Sequence, residues 1–375
     1  VLFIEIFFSD CKKMKILLNK ILFAFSLYNF IYPIRLNFIP YSEYFFYIPV
    51  FTFFIFNKKY INKLILNKKL EFIYIIFIIL ILISLLSTTI FGSYFGSYDF
   101  LGTFAYFKII FAFIFTIILN VWGYFIFKSD YETKVFNFFA FFALIVSVSC
   151  LLEFFIPAFR SFLLGIFDYT GKISSEGFRV RGFTSGGSSL TFGLYTAILY
   201  TILSINKSNK ITHTIFYIAS ILIILFSMLF IGRAGFFLAL VFFIFYFLRN
   251  LFKPKYIVIN SFLMFFVLST SLSLLNLLEP DQQKLIFSYS LEPINKFLIY
   301  GEVSSKSTTH ILENMIYLPD LKHLIIGAGY WRYPINEYYL SDIGYFKILM
   351  SSGIIGLILF FSTYYYLLKK LYKKF

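Results

Sequence analysis

Cysteine is nearly absent from this chain, with two in 375 residues. Cys11 lies ahead of the first apolar run and Cys150 inside a later one, so no disulfide framework is implied. Charge is scarce too: 14% of residues are Asp, Glu, Lys or Arg, against 60% hydrophobic. A soluble domain of this length needs far more polar surface. Histidine occurs three times, with no His/Cys spacing suited to zinc. No Walker-type phosphate loop and no Asp-x-Asp cluster appears in a connecting segment, so no metal and no cofactor is expected. The opening stretch has no small-residue cleavage site, so no removable signal peptide is expected. Met14 stands close behind Val1, and residues 1–13 read as the product of an upstream start.

What the chain has instead is apolar length. Runs of about 18–22 residues recur, enough to span a hydrocarbon core about 30 Å thick. They predict an all-α polytopic membrane protein, a single integral membrane domain over 1–375. About ten helices are expected, near 16–32, 41–56, 71–91, 103–127, 135–156, 186–205, 212–231, 234–249, 256–277 and 343–367. Basic residues alternate between the connections. Twenty of the 33 fall at the two ends of the chain and in every second connection. The positive-inside rule then puts both termini in the cytoplasm. The net charge of +15 is mostly this topogenic charge near anionic lipid and implies no nucleic-acid partner.

Thirteen basic residues remain, on or near the external side. Two external connections are long, 157–185 and 278–342. The tightest holds Arg233, the only charge between Thr214 and Leu248. A continuous helix over that run would be about 50 Å long, too long for one span. Gly232 and Gly235 permit a break, so "IGRAG" reads as a hairpin tip at the external face. A snorkelling arginine would also mark that interface. Snorkelling needs no paired glycines, however, which favours a guanidinium held in a cavity for an anion.

The stretch 176-EGFRVRGFTSGGSSLTFG-193 is the second candidate. If it is extended, alternation puts Arg179 and Arg181 on one side. The Gly/Ser stretch behind them leads into a helix start, whose free N–H groups favour a phosphate or pyrophosphate. An ordinary solvated loop is the bland alternative. Lys108, near the external end of the fourth helix, belongs with these cations or snorkels. In 278–342, "HILENMIYL" at 310–318 predicts an amphipathic helix with His310 and Glu313 one turn apart. A histidine outside the membrane can act as a base towards a hydroxyl. His213 lies at a helix start on the other side and reads as incidental.

The late stretch "LKHLIIGAGYW…YYLSDIGYFKILMSSGIIGLILFF" resembles the bacterial O-antigen polymerase family, within the O-antigen ligase/polymerase superfamily. Its members end a long external loop with an "fG-x-G" element, then "sD-x-G-y", then a final helix opening on "GiiG". Here these correspond to Gly327-Ala328-Gly329, Ser341-Asp342-Ile343-Gly344-Tyr345 and Gly353-Ile354-Ile355-Gly356. "FIGRAGFFLAL" and "RVRGFTSGG" also look like members of that family. The resemblance implies a lipid-carrier-dependent glycosyltransferase architecture in the bacterial inner membrane. It implies transfer between oligosaccharide repeat units linked to undecaprenyl pyrophosphate, with a chain-length regulator and a flippase as partners. Arg179, Arg181, Arg233 and Lys108 would bind the pyrophosphate, with Arg233 also catalytic, and His310 or Asp342 would be the base. The ligase branch commonly carries a histidine before its last helix, where this chain has Asp342. A transporter of lipid-linked sugars would favour more helices and detectable repeats. The chain has no convincing repeat, and a long late loop suits a lid over a reaction site.

Overall fold

The computed structural model describes residues 2–39, 44, 47–65, 68–95, 100–167, 180–184, 188–207, 211–250, 292–301, 321–329 and 344–372, with isolated positions at 269, 280, 283, 284, 309 and 313. Among them the regular structure is helical and no strand occurs. In chain order the helices are α1 (Leu2–Ile31), α2 (Ile48–Phe56), α3 (Lys58–Ile65), α4 (Lys68–Phe95), α5 (Leu101–Phe127), α6 (Tyr131–Phe155), α7 (Pro157–Ile166), α8 (Ser188–Lys207), α9 (Ile211–Ile231), α10 (Arg233–Asn250), α11 (Glu292–Tyr300), α12 (Leu321–Ile326) and α13 (Gly344–Tyr372). Three helical stretches among the described residues are long and apolar enough to cross a membrane: Phe72–Phe91, Leu101–Phe155 and Tyr345–Tyr366. The second holds both α5 and α6, joined by the short turn Lys128–Asp130. The chain is a helical membrane protein. Apart from Ser269 and Glu313, the expected span at 256–277 and the helix at 310–318 lie outside the described residues.

Two details refine the sequence reading. The connection 157–185 opens as a helix, α7, because Pro157 acts twice. It bars the helical region to Ile156, which is extended (φ −120°, ψ 98°), and its own fixed φ suits the first position of the next helix. The 278–342 connection likewise contains α11 and α12.

The chain divides into two compact units: Val1–Ile55 with Leu119–Gly301, and Phe56–Ile118 with Glu302–Phe375. In the first, α6 packs on α8 and α9, and α8 packs on α10. Apolar attraction between helices is weak in lipid, so close packing must come from small side chains. The inward stripe of α6 supplies them: Ala140, Ala143, Ser147 and Cys150 are all buried. Aromatic contacts complete the seams. Phe154 meets Phe230 at 4.1 Å, Phe136 stacks on Tyr200 at 4.6 Å, and Tyr28 meets Phe142 edge-on at 5.2 Å.

The second unit is built on α4, the first half of α5, α12 and α13, around Ile73, Ile76, Phe77, Leu80 and Tyr106. Several of its buried hydroxyls pair with one another, with their own helix or with a neighbouring carbonyl, partners that lipid cannot supply. Tyr106 Oη lies 2.7 Å from Ser352 Oγ and 3.1 Å from Ser351 Oγ. Thr88 Oγ1 donates to Ser84 O at 2.9 Å or to Gly329 O at 3.1 Å.

The glycine elements of the late stretch meet in this unit. Gly353 breaks α13 with φ 68° and ψ −170°, a region that only glycine occupies readily. The segment Gly327-Ala328-Gly329 fits into that kink, with Ala328 N–H donating to Met350 O at 2.7 Å. A Cβ on Gly353 would overlap Ile325 O and sit 2.5 Å from Gly327 N. The motif pair is therefore a packing lock between α12 and α13. Gly353→Ala is expected to cost about 1–3 kcal/mol from backbone strain alone, with the overlap in addition. Gly165→Ala, with open space around its Cβ position, is the matched control. The thermal midpoint of the purified protein in detergent should fall in the first variant and hold in the second.

Candidate functional site

Among the described residues of the first unit, a dense set of polar contacts surrounds residues 180–184, "VRGFT". The segment has no helical ladder of its own, so each backbone group needs a partner from elsewhere. Val180 N–H donates to Phe230 O at 3.3 Å, at the end of α9. Arg181 N–H and Gly182 N–H both donate to Glu153 Oε2, at 2.8 and 2.7 Å. Phe183 N–H donates to Ser149 Oγ at 3.1 Å, while Ser149 Oγ–H turns back to Val146 O at 2.7 Å. Phe183 O accepts from Tyr28 Oη of α1 at 3.2 Å, and Thr184 Oγ1 donates to Pro33 O at 3.3 Å. Three helices and the segment behind α1 thus fix five consecutive residues.

Glycine is required inside that set. Gly182 has φ +59°, and a Cβ there would strike Ser149 Oγ and come within 3.0 Å of Cys150 Sγ. Its absent side chain lets the loop lie flat on α6. Phe183 is held by aromatic edges, at 6.0 Å from Phe159 and 6.1 Å from Phe167.

These contacts gather the ends of α1, α6 and α9 and the start of α8 and α10 at one end of the unit. α7 is tied there by Asn37, whose N–H donates to Ile166 O at 2.9 Å. The Asn37 amide reaches Leu164 O at 2.9 Å and Gly165 O at 3.2 Å. Those are the carbonyls a helix end leaves without partners. At the opposite end, Tyr217 Oη donates to Asn137 Oδ1 at 2.9 Å, and Tyr131 bonds to Asn120.

The "IGRAG" break is where the sequence puts it. α9 stops at Ile231, Gly232 lies outside both helices, and Arg233 is the first residue of α10. The two glycines differ in purpose. A Cβ on Gly232 would meet only Thr191 Cγ2, at 3.4 Å, whereas one on Gly235 would run into the Thr191 backbone and lie 2.6 Å from its Cβ. Gly232 marks the break, and Gly235 lets α10 rest against the first turns of α8.

The chain matches no known protein family, no characterised protein and no solved structure. Its chemistry has to be read from these residues alone. Arg181 is half-buried on the pinned loop, and Arg233 starts α10 at the same end of the unit. Lys108 is exposed on α5 and belongs to the other unit. Arg179, His310 and Asp342 lie outside the described residues. Among the described residues no three His, Cys, Asp or Glu side chains gather.

Arg35 and Arg160 also sit at the Arg181 end, close to the α1 and α7 contacts. The charge of Arg160, like that of Arg181, reaches Glu153. Among the described residues of this unit the arginines Arg35, Arg160, Arg181 and Arg233 share one end, while Lys128, Lys134 and Lys207 mark the other. Arg249 is the exception. Guanidinium groups bind phosphate oxygens bidentately where ammonium groups act as point charges, so this segregation is chemically meaningful. A count of basic residues by type would have exposed it.

Glu153 was missed for a simpler reason. It is the one charge in the apolar run 135–156, and an ionisable residue inside a span marks a functional candidate. Attention to cations alone passes over it.

The two glycines of the break can be told apart by substitution. Gly232→Ala should leave the yield of folded, monodisperse protein in detergent unchanged. Gly235→Ala should lower it several-fold, because the Thr191 backbone cannot retreat.

Proposed function

We propose that this chain is a polymerase of the O-antigen polymerase kind, joining undecaprenyl-pyrophosphate-linked oligosaccharide repeat units for a surface polysaccharide. It spans the bacterial inner membrane about ten times, with both termini cytoplasmic and the arginine end facing outward. One observation carries the reading: the segment around Arg181 is locked to three helices at the end of the unit where α9 breaks and Arg233 begins α10. Fixed guanidinium groups at a membrane face suit a ligand whose anion is anchored there by its own lipid.

The chemistry needs little else. The bond between the anomeric carbon of the growing chain and the pyrophosphate oxygen breaks, and the pyrophosphate leaves with the electron pair. A hydroxyl oxygen of the next lipid-linked unit bonds to that carbon and releases its proton to a base, for which His310 and Asp342 are the candidates. Arginine donors held near the leaving oxygens would stabilise the charge that develops there, and losing one donor of this kind costs about 10²–10³-fold in rate. Arg181, Arg233 and Arg179 are the arginines proposed for that role. The leaving group is activated in advance, so the reaction consumes no nucleotide.

Deleting the gene in its native host should collapse a long polysaccharide ladder to a single repeat unit on its normal acceptor. Long polymer stranded on the lipid carrier would mean a ligase instead, and loss of every unit from the outer face a transporter. Arg233→Ala, made in the restored gene, should abolish polymer while the protein still reaches the membrane. Full polymer in that variant would return Arg233 to an interface marker.

A further inference from the structure

We infer that Glu153 is a positioning residue, whose task is to hold Arg181 for the pyrophosphate; this rests on the reading of the site given above. Glu153 stands in the last turn of α6 and is 1% exposed. One of its oxygens, Oε2, receives both the Arg181 and the Gly182 N–H. No ligand contact is needed from the carboxylate itself, since it acts on the backbone that carries the guanidinium.

Three features separate this from ordinary loop anchoring. Neutral acceptors already serve the rest of the segment: Phe230 O for Val180 and Ser149 Oγ for Phe183. The carboxylate is spent on the two peptides at the arginine itself. Those bonds are charge-assisted and the stronger for it. The left-handed turn at Gly182 is what points two successive N–H groups at one oxygen, so direction and grip have the same source. Finally, Arg160 on α7 also acts on Glu153. With Arg160 and Arg181 around one carboxylate, the group stays net positive and retains its attraction for an anion.

The test uses the full-length protein in detergent and a deletion host carrying each variant. Hydrogen exchange at the Arg181 and Gly182 amides should accelerate by about tenfold or more in Glu153→Ala, where two buried donors lose their acceptor. In Glu153→Gln, whose neutral side-chain oxygen can still take both, exchange should rise clearly less than in Glu153→Ala. Ser149→Ala should loosen Phe183 and leave Arg181 protected.

Polymerisation supplies the second readout as a double-mutant cycle. If Glu153 acts through Arg181, the Glu153→Ala/Arg181→Ala pair is no worse than Arg181→Ala alone, and Glu153→Gln keeps most of the polymer. Unchanged exchange in Glu153→Ala overturns the inference, as does a fully additive double variant. Wild-type polymer in Arg181→Ala would instead sink the reading of the site, whereas the exchange result still decides whether Glu153 holds the loop.

Discussion

Two peptide N–H groups resting on one buried carboxylate oxygen are the contact around which the first unit is arranged. A non-helical segment near a membrane survives only if its backbone groups are satisfied within the protein. Residues 180–184 achieve this by borrowing from three helices: Glu153 and Ser149 from α6, Phe230 O from α9, and Tyr28 from α1. The same bonds that remove an energetic penalty also register those helices against one another. They leave Arg181 on a backbone that cannot drift. A long, flexible cation becomes a directed one at its root, as the proposed binding of a pyrophosphate would need.

The two halves of the chain use glycine to different ends. In the first unit, glycine lets polar backbone approach polar side chains: Gly182 lies against Ser149 and Gly235 against Thr191. In the second, Gly327 and Gly353 interlock so that α12 closes on the kink of α13. That lock fixes α13 against α12.

Much of the fold was legible in the sequence because lipid leaves few choices: apolar length fixes helices, and glycine flanking a lone charge fixes the break at 232. Pro157 was legible in principle, yet the segment behind it reads as loop because Arg160 and the short run "FLLGI" lack the length of a span. The site was legible as cations and illegible as an assembly. Arg181 and Arg233 stand out against apolar neighbours, but nothing in their spacing tells that Val180 bonds to Phe230. Glu153 went unread because its partners are backbone groups 28 and 29 residues away, and backbone donors leave no mark on composition. Glycine motifs carried the opposite ambiguity. Gly327 and Gly353 resemble catalytic-family signatures, and their geometry here is that of packing.

The most direct measurement is reconstitution. Purified protein in lipid nanodiscs would be given a repeat unit linked to undecaprenyl pyrophosphate, with no nucleotide present, and the products separated by mass. The account predicts a ladder spaced by one repeat unit, with free undecaprenyl pyrophosphate released in step with each bond formed. Repeat units that stay chemically unchanged, while the protein binds or moves them, would contradict it.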